Sequence, residues 1–161
     1  MSPEGSHAAD TRLVLSSLMQ PEDANFMGVI HGGVILKLID EAGGACAYRF
    51  ARRRVVTASI DRTSFHFPVQ IGNLVTLGAS VNWAGRTSME IGVRVEAEDL
   101  DTGAVTHTNS AYLVFVALDE HGQPAAVPEL VVKTEDGRRR WAAAEQRRAV
   151  RLAERAAEDM H

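Results

Sequence analysis

The chain has 161 residues, 45% of them hydrophobic and 24% charged, the proportions of one globular domain with a real core. A formal charge of -4 excludes a general nucleic-acid binder, which needs a net basic surface; any anionic ligand must meet a local cluster of arginines. The single cysteine, Cys46, rules out an internal disulfide framework and fits a reducing compartment.

Residues 1–10, "MSPEGSHAAD", are small and polar, and are expected to form a disordered tail rather than a signal peptide. No apolar run approaches the ~18–20 residues that span a bilayer, so no membrane association is expected and a cytoplasmic location is. "TRLVLSSLMQ" predicts a first strand stopped by Pro21. From about Gly33 to Phe50 the sequence predicts a helix, being proline-free and too long an apolar run for one strand. Arg52 to Arg54 suit its C-terminal end, where cations meet the negative pole of the helix dipole.

Past the helix the period changes to two. Val75, Leu77, Ala79, Val81 and Trp83 alternate with polar or small residues, as do Met89, Ile91, Val93, Val95 and Ala97, the pattern of half-buried antiparallel strands. "VVTASIDRTSFHFPV" before them and "AVTHTNSAYLVFVALDE" after them complete four strands, joined by turn-forming "PVQIGN", "AGRT" and "DLDTG". "HGQPAAVPEL" reads as a linker to a C-terminal segment rich in alanine, arginine and glutamate, with the composition of a solvated helix. The expected class is α+β, a single antiparallel sheet curled around one apolar helix. Its division is a tail over 1–10, a domain over 11–132 and a helical extension over 133–161.

Within the helix, Ile35, Leu38, Ile39, Ala42, Cys46 and Phe50 share the apolar side. Asp40 stands on a stripe with little bulk, with Gly43 and Gly44 at three- and four-residue spacing. Each helical glycine costs roughly 1 kcal/mol against alanine, so the pair implies close approach by another backbone or a ligand. Upstream, His31-Gly32-Gly33 stands where a helix N-terminus would expose unpaired amides. Such amides can hold the oxygen of a carbonyl as it gains charge, and a carboxylate can activate water or attack the carbonyl itself. Asn25 could orient the water or bind that carbonyl. Taken one at a time, these residues also have plain readings: Asp40 paired with Lys37, His31 as a loop or cap, Gly32-Gly33 as a turn, and Arg52 to Arg54 as a solvated helix end.

In combination, "DAN…G…HGG…D.AGG.CA", "VTASIDRTSFHFPVQIGNLV" and "GRTSMEIGVRVEAED" resemble the hotdog-fold acyl-CoA thioesterases, in their YciA-like and brain acyl-CoA hydrolase-like branch. The resemblance covers about Arg12 to Val132. It implies hydrolysis of acyl-coenzyme A to a free acid and coenzyme A, with no metal or other cofactor. It also implies edge-to-edge dimers with shared active sites, assembling as a trimer of dimers. Carried onto this chain, the catalytic positions are Asn25 and Asp40, the acid acting as general base or nucleophile, with Gly32 and Gly33 amides as the oxyanion hole. Gly85, Arg86, Thr87 and Ser88 match the turn that contacts coenzyme A, as does His31, and Arg86 suits a phosphate. His31 stands where many bacterial relatives carry phenylalanine, and Asn73 where an aspartate is common. Phe26, Met27 and Val34 are candidates to line the acyl pocket. Asp61 is expected to be structural, with Thr63 and Ser64 as lesser candidates for the site. Two other classes compete: a non-catalytic acyl-CoA sensor, and a hotdog hydratase or dehydratase.

Overall fold

A computed structural model describes residues 6, 7 and 11–161. The chain runs β1 (Ser6–His7), β2 (Leu13–Leu18), α1 (Gly32–Ala51), β3 (Val55–Ile60), β4 (Leu74–Ala84), β5 (Ser88–Glu98), β6 (Val105–Ala117), β7 (Leu130–Val131) and α2 (Glu135–Glu158). The expected disordered tail therefore lies outside the described residues except for Ser6–His7, which pairs in parallel with Leu130–Val131. That pairing also turns the end of the expected linker into a strand, with Leu130 buried.

Five strands form one antiparallel sheet in the order β2-β4-β5-β6-β3. The alternation predicted for β4 to β6 is what builds its inner face: Val75, Leu77, Ala79, Val81, Met89, Ile91, Val93, Val95, Ala111, Leu113, Phe115 and Ala117 are all buried. Against them α1 lays Ile35, Ile39, Ala42, Cys46, Ala47 and Phe50. The curled sheet thus wraps a single apolar helix, the hotdog arrangement. Cys46 is buried and its thiol donates to the Thr11 carbonyl at 3.2 Å; burial pushes its pKa up to about 12 against the opposing pull of Arg49.

Three expectations need correction. Trp83 does not continue the inner face, because a bulge between Val81 and Trp83 sets it opposite Glu90. The extra residue flips the strand's phase, and Trp83 meets Trp141 of α2 with ring centroids 6.0 Å apart. The strand expected over 55–69 stops at Ile60. It is an edge strand, itself bulged between Thr57 and Ser59. Beyond Ile60 the chain is irregular as far as Pro68, a residue that cannot donate to a ladder.

The third correction concerns α2. Its face of Gly137, Trp141, Ala144, Arg147 and Arg151 is wholly or partly buried, and it packs on the outer surface of the sheet over β4. Glu90, fully buried in β5, explains the arginines. Arg147 donates to both its carboxylate oxygens, the shortest bond 2.7 Å, and Arg151 donates to Oε2 at 3.0 Å. Arg147 also stacks over Tyr112, 3.6 Å from the ring centroid. Burial alone would favour loss of the Arg147 proton, but the bond to Glu90 and its charge hold the guanidinium's pKa above the ordinary value. Composition suggested a solvated helix; a buried carboxylate beneath it makes it a docked one.

Candidate active site

Asp40 lies half-buried on α1, and its Oδ1 accepts a 2.7 Å hydrogen bond from Thr57 Oγ1 of β3. Lys37 is exposed and makes no ion pair among the described residues, so the salt-bridge reading of Asp40 is wrong. The pair opens onto a cleft of about 650 Å3 between α1 and the β3 edge, lined by Gly44, Tyr48, Arg52, Val55 and Phe115 among others. Thr57 went unnoticed in the sequence. Its signal is faint: one inward-facing hydroxyl in a short, bulged strand.

The downstream glycines admit the sheet. A Cβ on Gly43 would meet the Phe115 ring at 3.3 Å and Leu113 at 3.6 Å; on Gly44 the nearest atom, again of Phe115, is 3.7 Å away. The close neighbour expected at Gly43 is therefore this chain's own β6, whereas Gly44 keeps the cleft wall beside Asp40 free of bulk. Arg52 closes α1 in the left-handed region at φ 54, the position glycine usually takes.

Upstream, α1 begins at Gly32 with His31 as its N-cap; the His31 side chain makes no capping bond and is exposed. The amides of Gly32 and Gly33 donate to no partner among the described residues, as the first amides of a helix do. Asn25 opens the tight turn before them: its Oδ1 accepts from the amides of Met27 at 2.9 Å and Val29 at 3.3 Å. That bonding fixes which side-chain atom is oxygen, and leaves the Nδ2 donor without a partner among the described residues.

Asn25, Gly32, Gly33 and Asp40 do not converge within one chain. Gly32 and Asp40 are eight positions apart on one helix, so ~12 Å separates them along its axis at 1.5 Å per residue. None of the upstream three lines the Asp40 cleft. Phe26 is 99% and Met27 74% exposed, and neither lines the Asp40 cleft; Val34 is half-buried against the core.

Gly85 to Ser88 form the β4–β5 hairpin turn, closed by Gly85 N–H to the Ser88 carbonyl at 2.8 Å. A Cβ on Gly85 would collide with the Trp83 ring at 2.5 Å, so a larger residue there has to displace that ring. Arg86 is exposed, while its carbonyl and that of Thr87 accept from Val127 and Ala117. Thr57, Phe115 and Met89 share one row across β3, β6 and β5. The turn thus begins at the same end of the sheet as Asp40, about two strand spacings or ~10 Å across. Asp61 is a structural residue as expected, its carboxylate bound to Arg151 at 2.7 Å. Thr63 donates to the Asp61 carbonyl at 3.0 Å, and Ser64 is exposed. Asn73 accepts from the Gln70 amide at 2.9 Å, filling the turn role an aspartate would. Among the described residues no three His, Cys, Asp or Glu side chains gather as a metal site requires, and no helix is long and apolar enough to cross a membrane.

Residues 27–104 match the family model described as the thioesterase superfamily. Protein VdlD of Helicobacter pylori is 42% identical over 141 residues, covering 88% of this chain and 80% of its own. The YkhA protein of Bacillus subtilis, named an uncharacterized acyl-CoA thioester hydrolase, is 36% identical over 135 residues, covering 84% of this chain and 78% of its own. The chain belongs to the hotdog-fold acyl-CoA thioesterases. Among solved structures, the acyl-CoA hydrolase of Staphylococcus aureus in complex with butyryl-coenzyme A, coenzyme A and coenzyme A disulfide superposes at a TM-score of 0.88. It shares 29% identity and covers 96% of this chain and 94% of its own. An apo-hexameric acyl-CoA thioesterase superposes at 0.90 with 36% identity, covering 96% of this chain and 99% of its own. Three alanine variants of the Staphylococcus enzyme have been solved, replacing an asparagine, an aspartate and a threonine spaced 15 and 17 positions apart. Asn25, Asp40 and Thr57 have that same spacing.

Proposed function

We propose that the chain hydrolyses the thioester of acyl-coenzyme A, with Asp40 as general base or nucleophile and the Gly32 and Gly33 amides as oxyanion donors. The observation that carries this reading is the Asp40 carboxylate held by Thr57 at 2.7 Å on the wall of an open cleft. The hydroxyl fixes one carboxylate oxygen and leaves the other for a water or for the carbonyl carbon itself. Attack builds negative charge on the carbonyl oxygen, which unpaired helix amides stabilise. Collapse of the intermediate expels the thiol of coenzyme A; where water attacked, the acid leaves at once, and where Asp40 attacked, water then hydrolyses the acyl–Asp40 anhydride to free it. Asn25, through Nδ2, donates to the carbonyl or to the attacking water. No metal or other cofactor takes part.

The ~12 Å between amides and carboxylate is too long for one carbonyl to bridge, so each site takes its acid from one chain and its amides and Asn25 from another. Chains pair through the β3 edge, which borders the Asp40 cleft, joins no second strand on its outer side among the described residues and leaves Val56 and Ile60 44% and 41% exposed. Three such dimers form a hexamer. His31 and the Gly85–Ser88 turn contact the coenzyme A moiety, with Arg86 on a phosphate. The reducing compartment suited to an unpaired Cys46 agrees with a cytoplasmic location.

Complementation tests this. Asn25→Ala and Asp40→Ala proteins should each release little thiol from an acyl-coenzyme A panel. Co-refolded in equal amounts they should recover about one quarter of wild-type activity, because half the dimers are mixed and each holds one intact site. No recovery places both groups in one chain's site. Absence of thiol release by the wild type discards hydrolysis, and alkene–hydroxyl interchange in its place identifies a hydratase.

A further inference from the structure

The segment from residue 61 to 68 connects the edge strand to the core and has few ties of its own. Asp61 N–H donates to the Tyr112 carbonyl at 2.9 Å, and His66 N–H reaches the Thr108 carbonyl only at 3.4 Å. Most of its residues are exposed. Yet it carries Phe65, whose ring lies 3.6 Å from where a Cβ of Gly32 would stand. The ring therefore rests on Gly32, the first residue of α1 and one of the two whose amides have no partner among the described residues. Phe65 is itself 47% exposed, so the backbone beneath it has a share in setting where the ring sits.

That backbone is rooted at Asp61, and Asp61 is gripped from the far end of the chain. Arg151 donates through Nη1 to Asp61 Oδ2 at 2.7 Å and through Nη2 to Glu90 Oε2 at 3.0 Å. Its two acceptors differ in kind. Glu90 is fully buried in the middle of the sheet and is also held by Arg147 and by Asn82; Asp61 heads a loosely tied segment. A guanidinium with a rigid fork bonded to both transmits the position of one to the other, and two arginines balance two carboxylates, so the cluster is neutral.

We propose that Arg151 is a positioning residue for the oxyanion amides, holding segment 61–68 through Asp61 so that Phe65 seats on Gly32. This rests on the reading of the Gly32 and Gly33 amides as oxyanion donors. It gives the C-terminal helix, which touches neither the Asp40 cleft nor the upstream glycines, a part in turnover. Displacements near 1 Å at a reacting centre can cost up to about 100-fold in rate; loosening one flank of the amide site is expected to lower kcat roughly ten-fold and leave KM within about two-fold.

The test compares Arg151→Ala, Arg151→Lys and Phe65→Ala with Arg148→Ala, whose guanidinium stacks on Trp83 at 5.1 Å and does not reach Asp61. Two readings are taken on each: kcat and KM for thiol release, and hydrogen exchange at the hydrogen-bonded amides of the two segments, Asp61 and His66 in the first and Val34 and Ile35 at the start of α1 in the second, with α2 followed alongside. Arg151→Ala should speed exchange in both segments and lower kcat with KM held, Arg151→Lys should fall between, and Arg148→Ala should leave both segments unchanged. Phe65→Ala should reproduce the loss of kcat while α2 keeps its protection. Unchanged exchange over 61–68 in Arg151→Ala overturns the link, as does faster exchange with kcat intact. Should Arg151→Ala fail to fold, Arg151→Lys decides by the same readings. Exchange requires no catalysis, so an inactive wild type with coupled segments faults the oxyanion reading and not the link from Arg151 to Gly32.

Discussion

Thr57→Val removes one hydroxyl and keeps the shape of the side chain, so its effect isolates the bond to Asp40. A hydrogen bond to a charged group contributes about 1.5–3 kcal/mol, equivalent to roughly 10- to 150-fold in rate at ~1.4 kcal/mol per decade. Thr57 is exposed on its edge strand, so water replaces part of the lost bond and the lower end applies. A fall in kcat of about ten-fold is expected, measured as thiol release under saturating acyl-coenzyme A, and Thr57→Ser should recover most of it. Asp40→Asn, which removes the base itself, should cost about 10²- to 10⁴-fold. Because the hydroxyl acts through the carboxylate, adding Thr57→Val to Asp40→Asn should cost nothing more. A Thr57→Val enzyme that retains more than half the wild-type rate refutes this role for the hydroxyl, as do losses that multiply in the double variant.

The glycines after Asp40 should separate in thermal melts. Gly44→Ala gains helix propensity of roughly 1 kcal/mol with only an ordinary contact to Phe115, whereas Gly43→Ala drives its methyl to 3.3 Å from a ring that is 2% exposed. Gly44→Ala should therefore be the more stable by at least about 1 kcal/mol. Glu90→Gln leaves Arg147 and Arg151 without their buried countercharge, which should cost about 2–4 kcal/mol and lower Tm by roughly 5–12 °C. Cys46 should resist thiol reagents at pH 8 in the native protein. Its folded pKa of about 12 exceeds the ordinary 9.0, so the unfolded chain loses that proton first, and denaturant midpoints should fall as pH rises through that window. Cys46→Ala should flatten that part of the profile.

The helix and the three long strands were legible because their apolar periods, 3.6 and 2, are local properties that burial on one face enforces. Asn25, the glycine pair and Asp40 were legible as residue types at particular spacings. What they do was not. Whether Asp40 meets Lys37 or Thr57 depends on which side of α1 the edge strand occupies, a long-range choice with no trace in the helix sequence. Gly43 looked made for a foreign neighbour because sequence cannot say that Phe115, 72 positions later, lies against it.

The largest misreading was electrostatic. Alanines, arginines and glutamates in α2 have the composition of a helix in water, and Glu90 sits at an outward position of an alternating strand. Either segment alone is most favourably placed facing solvent. Only when α2 docks over β4, bringing its arginines to Glu90 of β5, do the desolvated charges cancel, and the energy of that pairing belongs to neither segment by itself. The single bulged residue at Asn82, which turns Trp83 outward to meet Trp141, is fixed the same way. The sequence determined one apolar helix, an alternating sheet to cover it and a carboxylate near a glycine-rich helix start; the tertiary structure decided which groups face one another, since contacts between distant residues are set by the packing of whole elements.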